Sequence, residues 1–180
     1  MRVFVAIEIS SDKIIDSISK FQSEININAK SVEPHNLHFT LQFLGEISKD
    51  MLDHVSRALD SVKFSKFSVN LKNIGVFPTQ KFPRIIWVGT DENGGKSLVE
   101  LANKVENALI PLGFTVDKPF KPHITVFRIK NKIGDISKEM DKFKLIDFGI
   151  QQISGFKLKQ SVLSSKGPTY TNLMEVQAIS

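Results

Sequence analysis

One order of elements occurs twice along this chain of 180 residues: strand, helix, turn, a strand opening on His-x-Thr, helix, strand. In the first pass, Arg2 to Ile9 is apolar enough for a buried strand. Ile14, Ile18, Phe21 and Ile25 then recur at helical spacing, with Ser10 or Ser11 as N-cap. Glu33-Pro34-His35-Asn36 makes a turn before the strand His38-Phe39-Thr40-Leu41-Gln42-Phe43, which Gly45 closes. Ser48 can cap a second helix with the stripe Leu52, Val55 and Leu59, and Phe67 to Phe77 reads as a strand.

The second pass repeats the plan. Arg84 to Thr90 is a strand and Asp91 to Gly95 a turn. A helix follows, with Leu98, Leu101, Ala102, Val105 and Leu109 on one face and Gly113 past its end. Pro119 to Pro122 introduces the strand His123-Ile124-Thr125-Val126-Phe127. A short helix over 136–143 and strands over 145–151, 153–163 and 170–178 complete the reading.

A repeat of this kind predicts an α+β fold of two pseudo-symmetric lobes, each a small antiparallel sheet backed by helices, facing each other across a central cleft. No Gly/Ser or charged linker separates the halves, so residues 1–180 are expected to form a single bilobal domain. The lobe halves fall at roughly 1–80 and 81–180, with room for strand exchange between them. Because the symmetry a dimer would supply is already internal, a monomer is expected.

The chain has no cysteine, which excludes disulfides, thiolate metal sites and cysteine nucleophiles. Glu8 interrupts the apolar N-terminus too early for a signal-peptide core, and no apolar stretch approaches the roughly 20 residues of a membrane span. The expected location is therefore the cytoplasm. Net charge is +5, carried mostly by lysine, and such a surface favours polyanions, RNA among them.

Side chains two apart on a strand share a face, so His38 lies beside Thr40 and His123 beside Thr125. Two imidazoles on opposite walls of one cleft can take up a proton on one side of a phosphorus atom and give one on the other. The threonine hydroxyls can hold non-bridging phosphate oxygens. The same alternation places Phe39, Leu41 and Phe43 on the face away from the cleft, and puts Phe127 with His123, as either a candidate base contact or a core residue. Tyr170 is a second candidate base contact at the cleft mouth, or else a packing residue. His35 reads as a solvated loop residue and His54 as a helix-surface residue. No carboxylate stands near either motif, so a metal site is not expected.

At this point the sequence resembles the two-histidine (2H) phosphoesterases, in particular the archaeal and bacterial RNA 2′,3′-cyclic phosphodiesterases historically named 2′-5′ RNA ligases. The resemblance rests on Arg2-Val3-Phe4-Val5-Ala6-Ile7, on Asn36-Leu37-His38-Phe39-Thr40-Leu41-Gln42-Phe43-Leu44-Gly45-Glu46 and on Gly75-Val76-Phe77-Pro78. It continues through Pro83 to Gly89, Phe120 to Arg128, and Gly167-Pro168-Thr169-Tyr170. It implies hydrolysis of RNA 2′,3′-cyclic phosphate ends, as on tRNA fragments, or of cyclic nucleotides, to 2′-phosphomonoesters, without a metal or nucleotide cofactor. It also implies His38 as proton donor, His123 as proton acceptor, and Thr40, Thr125 and Arg128 as phosphate ligands. Strict alternation, however, puts Arg128 on the opposite face from His123, unless a bulge re-aims it. Two alternatives are reversible 2′-5′ RNA ligation by the same site and a non-catalytic basic RNA-binding module.

Overall fold

The computed structural model describes residues 1–180 and consists of nine strands and four α-helices. In chain order these are β1 (Arg2–Glu8), α1 (Asp12–Glu24), β2 (Lys30–Ser31), β3 (His38–Glu46), α2 (Lys49–Asp60), β4 (Phe67–Pro78) and β5 (Pro83–Thr90). Then come α3 (Glu92–Leu109), β6 (Ile124–Arg128), α4 (Ser137–Asp141), β7 (Asp147–Ile153), β8 (Gly155–Ser164) and β9 (Gly167–Gln177). No helix is long and apolar enough to cross a membrane.

The strands form two sheets, in the orders β3-β1-β8-β9 and β2-β6-β5-β4-β7, and every paired ladder is antiparallel. The expected two-sheet α+β architecture is what the chain adopts. Strands cross its midpoint in both directions. β4 joins the second sheet between β5 and β7, while β8 and β9 return to complete the first. Each His-x-Thr strand therefore lies next to the opening strand of its own repeat, β3 beside β1 and β6 beside β5.

The helices form where the apolar spacing demands. α1 starts at Ser11, whose hydroxyl accepts from the Ile14 N–H, and buries Ile14, Ile18 and Phe21. α2 starts at Ser48, which accepts from the Met51 N–H, and buries Val55 and Leu59. α3 begins earlier than the sequence suggests. Asp91 to Gly95, expected as a turn, forms its N-terminus, because the Asp91 carboxylate accepts from the Gly94 N–H. A Cβ on Gly94 would stand 2.9 Å from the Val69 backbone, so only glycine lets the helix lie this close to β4. One continuous apolar core joins both sheets to the helices, with Phe21 edge-on to Phe127, Phe143 and Phe148.

Candidate active site

Both His-x-Thr strands carry a bulge at the same place. On β3, Thr40 pairs with Ala6 and Gln42 with Val5, so Leu41 has no partner on β1. On β6, Thr125 pairs with Trp87 and Phe127 with Ile86, so Val126 has none on β5. An unpaired residue reverses the alternation beyond it. Phe43, expected on the covered face, therefore shares the cleft face with His38 and Thr40 and is 70% exposed. Phe127, placed beside His123 by strict alternation as a base contact or a core residue, takes the core role: it is 3% exposed and packs edge-on to Phe21. The same reversal resolves the conflict over Arg128, which lines the cleft with Thr125.

His38, Thr40, His123, Thr125, Arg128 and Tyr170 all line one cavity of about 1300 Å³. Each histidine is pinned the same way, with Nδ1 2.7 Å from the carbonyl oxygen two residues earlier, Asn36 for His38 and Lys121 for His123. A carbonyl can only accept, so Nδ1 carries the hydrogen in both rings, and Nε2 remains as the nitrogen free to exchange a proton. His38 Nε2 lies 3.0 Å from Thr40 Oγ1. When the ring is neutral, the hydroxyl donates to it.

The surroundings of the two rings differ. Around His38, Phe4 and Tyr170 stand at 5.3 and 5.5 Å between ring centroids. Directly across the ladder from His38 is Glu8, which forms salt bridges with Lys157 at 2.7 Å and with Lys159. Lys159 is 5% exposed and lies under the Tyr170 ring. Burial would raise the Glu8 pKa, but the hydrogen bonds and charges of the two lysines outweigh it and hold the carboxyl below its ordinary value. Enclosure pushes the His38 pKa down to about 4. The Asn36 carbonyl and Glu8 oppose that shift, while the Lys159 and Arg128 charges add to it. Burial likewise raises the Tyr170 phenol, against the pull of Arg128.

Around His123 the floor is apolar. Phe77 lies edge-on at 5.3 Å and Trp87 at 6.4 Å, and these two rings pack against each other at 5.3 Å with their planes tilted by 36°. Gly75 makes this possible, since a Cβ there would fall 2.0 Å from the indole. The Trp87 Nε1–H is buried with no protein partner.

His35 is exposed at the cleft rim and His54 is exposed on α2. No group of three or more His, Asp or Glu side chains is arranged to hold a metal ion. Sequence reasoning missed Phe4, Glu8, Phe77, Trp87, Lys157 and Lys159. Alternation along β1 puts Phe4 and Glu8 on one face, and the β1–β3 register makes it the face of His38. The lysines needed the long-range pairing of β1 with β8, which no local pattern carries.

A family model described as the AKAP7 2′5′ RNA ligase-like domain matches residues 2–177. The chain is 39% identical over 175 residues to a protein of Archaeoglobus fulgidus named RNA 2′,3′-cyclic phosphodiesterase, covering 96% of this chain and 98% of that one. Among solved structures it is similar to TT0787 of Thermus thermophilus, with 28% identity, a TM-score of 0.82 and coverage of 98% of this chain and 97% of that one. It also shares the fold of Escherichia coli LigT, solved in complex with 3′-AMP, at 23% identity and a TM-score of 0.80, covering 99% of this chain and 98% of LigT.

Proposed function

The chain belongs to the 2′5′ RNA ligase-like family of 2H phosphoesterases, and on that premise we propose that it hydrolyses RNA 2′,3′-cyclic phosphate ends to 2′-phosphomonoesters by metal-independent acid-base catalysis. The observation that carries the reading is the matched pair of histidines lining one cleft, each fixed through Nδ1 with Nε2 left to move a proton.

In the reaction, one imidazole takes a proton from water as its oxygen bonds to phosphorus. The bond from phosphorus to the 3′ oxygen breaks, and that oxygen receives a proton from the other imidazole. We assign His38 as the donor and His123 as the acceptor. Thr40, Thr125 and Arg128 hold the non-bridging oxygens, each charge-assisted hydrogen bond contributing about 1.5–3 kcal/mol. The donor role places a condition on His38. Before substrate binds, its ring is neutral at neutral pH. The negative cyclic phosphate, docked beside Thr40, supplies the charge that draws a proton onto it. Phe43 offers an exposed aromatic face in the same cleft for the terminal base, in place of Phe127.

Ligation follows the same path with a 5′-hydroxyl in the place of water, and the family's description keeps it in view. One incubation separates the readings. RNA carrying a 2′,3′-cyclic phosphate, with a second RNA bearing a 5′-hydroxyl and chelator present, should yield 2′-phosphate. Accumulation of longer RNA would favour ligation, and an unchanged cyclic phosphate would favour a module that only binds RNA.

A further inference from the structure

The cleft is larger than the reaction in it requires. Sites for drug-sized ligands run roughly 300–1,000 Å³, whereas this cavity holds about 1300 Å³, so one nucleotide leaves much of it open. One direction out of the catalytic centre is lined mostly with cations, Glu33 being the carboxylate on the segment that follows Lys30. Lys30 stands opposite Arg128 in the β2–β6 register, and Lys130 follows Arg128 by two residues. The Lys30 ammonium spans the gap between the sheets and donates to the Lys166 carbonyl oxygen at 3.4 Å, in the turn between β8 and β9. Lys30, Lys130 and Lys166 are exposed on the cavity wall, and neither they nor Arg128 take part in a salt bridge. The opposite lip mixes signs, with Asp117 between Lys118, Lys121 and the end of α3.

Uncompensated cations side by side repel one another, and an anion of matching extent relieves that repulsion. We propose that Lys30, Lys130 and Lys166 form a subsite for the phosphodiester backbone of the RNA strand 5′ to the cyclic phosphate, so that the chain acts preferentially on polynucleotide ends rather than on cyclic mononucleotides. The inference rests on the proposed hydrolysis. With the cyclic phosphate at the two histidines and Arg128, the preceding phosphates of the strand run outward over the three lysines. A cyclic mononucleotide has no preceding phosphate and gains nothing from them. Because these contacts reach only the backbone, the preference is for strand length and not for sequence.

The test compares adenosine 2′,3′-cyclic phosphate with a tetra-adenylate ending in a 2′,3′-cyclic phosphate, at low and moderate salt. Three lysines on a single strand predict a slope of about −2 for log(kcat/KM) of the tetramer against log of salt concentration. The mononucleotide slope should be distinctly shallower. The double variant Lys30→Gln, Lys166→Gln should lower kcat/KM of the tetramer roughly tenfold at low salt and leave the mononucleotide rate unchanged. Equal kcat/KM for the two substrates in the unaltered chain, or an equal loss on both in the variant, would overturn the subsite. Binding of a 2′-phosphate-ended tetramer, followed by fluorescence anisotropy, keeps the two readings apart. Salt-sensitive binding lost in the variant supports the subsite even if neither cyclic substrate turns over, a result that would instead sink the hydrolysis.

Discussion

Phe43 and Arg128 occupy the same place in the two lobes. Each lies five residues after its histidine, and each is turned into the cleft by one unpaired residue directly after the motif threonine. The repeated bulge thus gives the two walls different chemistry at equivalent points, an aromatic face on one and a guanidinium on the other. Replacing Phe43 and Phe127 should separate the two faces of the strands. Phe127→Ala removes a core ring and should cost about 3–5 kcal/mol in urea unfolding. Phe43→Ala should leave stability nearly unchanged and raise KM. A large stability loss in Phe43→Ala would contradict its position.

In the proposed mechanism the histidine pair carries the reaction, and the size of each contribution is a direct check. His38→Ala and His123→Ala should each lower kcat by about 10²–10⁴ with cyclic-phosphate substrate. Thr40→Ala and Thr125→Ala should lose less, since each removes one hydrogen bond to phosphate. Near-full turnover in either histidine variant ends the acid-base account.

Enclosure of His38 makes the fold sensitive to acid. Its pKa is about 4 when folded and near its ordinary 6.5 when unfolded, so between those values the unfolded chain binds more protons. Stability is therefore fully present above pH 6.5 and is lost progressively as pH falls to 4. Melting curves across that window should show the loss, and His38→Gln should flatten it. In kinetics, kcat/KM should fall as pH rises above about 4, where the donor His38 loses its proton, while in kcat that fall comes at higher pH because bound phosphate favours the protonated ring. A bend near 6.5 in both would show that burial is not felt.

Glu8 holds two lysines, one of them almost wholly buried. Glu8→Gln leaves the Lys159 charge without its partner and should destabilise the chain by about 3 kcal/mol in urea unfolding. The same change removes a group that raises the His38 pKa, so the fall of kcat/KM with rising pH should begin lower still. If stability is unaltered, Lys159 finds water in solution and the cluster is incidental.

Gly75→Ala tests the floor under His123. The new methyl carbon would overlap the indole of Trp87, and overpacking of this kind costs about 1–3 kcal/mol. Displacing Trp87 also disturbs the Phe77 packing that borders the His123 ring. Activity should fall by more than in the stability-matched core variant Ile86→Val, measured at a temperature where both are folded.

The repeated order of elements made the two-sheet fold legible, because helix stripes such as Ile14, Ile18 and Phe21 and caps such as Ser11 and Ser48 are local signals. The paired motifs likewise pointed to the histidines and threonines. Errors began one residue past each motif. Period-two reading assumes an unbroken ladder, and nothing about Leu41 or Val126 in the sequence announces that it will go unpaired. The charged group beside His38 was hidden for another reason. It is assembled from Glu8 and from Lys157 and Lys159, which share no stretch of chain.

That assembly has a temporal side. β1 is made first, yet its neighbour β8 lies about 150 residues downstream, and Tyr170 follows later still. At ribosomal rates of about 5–20 residues per second, β1 waits roughly 8–30 s with one edge unsatisfied. In the last part of that interval, once His123 is made, the nascent polypeptide can display both histidines but not the wall that encloses the first of them, so competence arrives abruptly, with the closing hairpin.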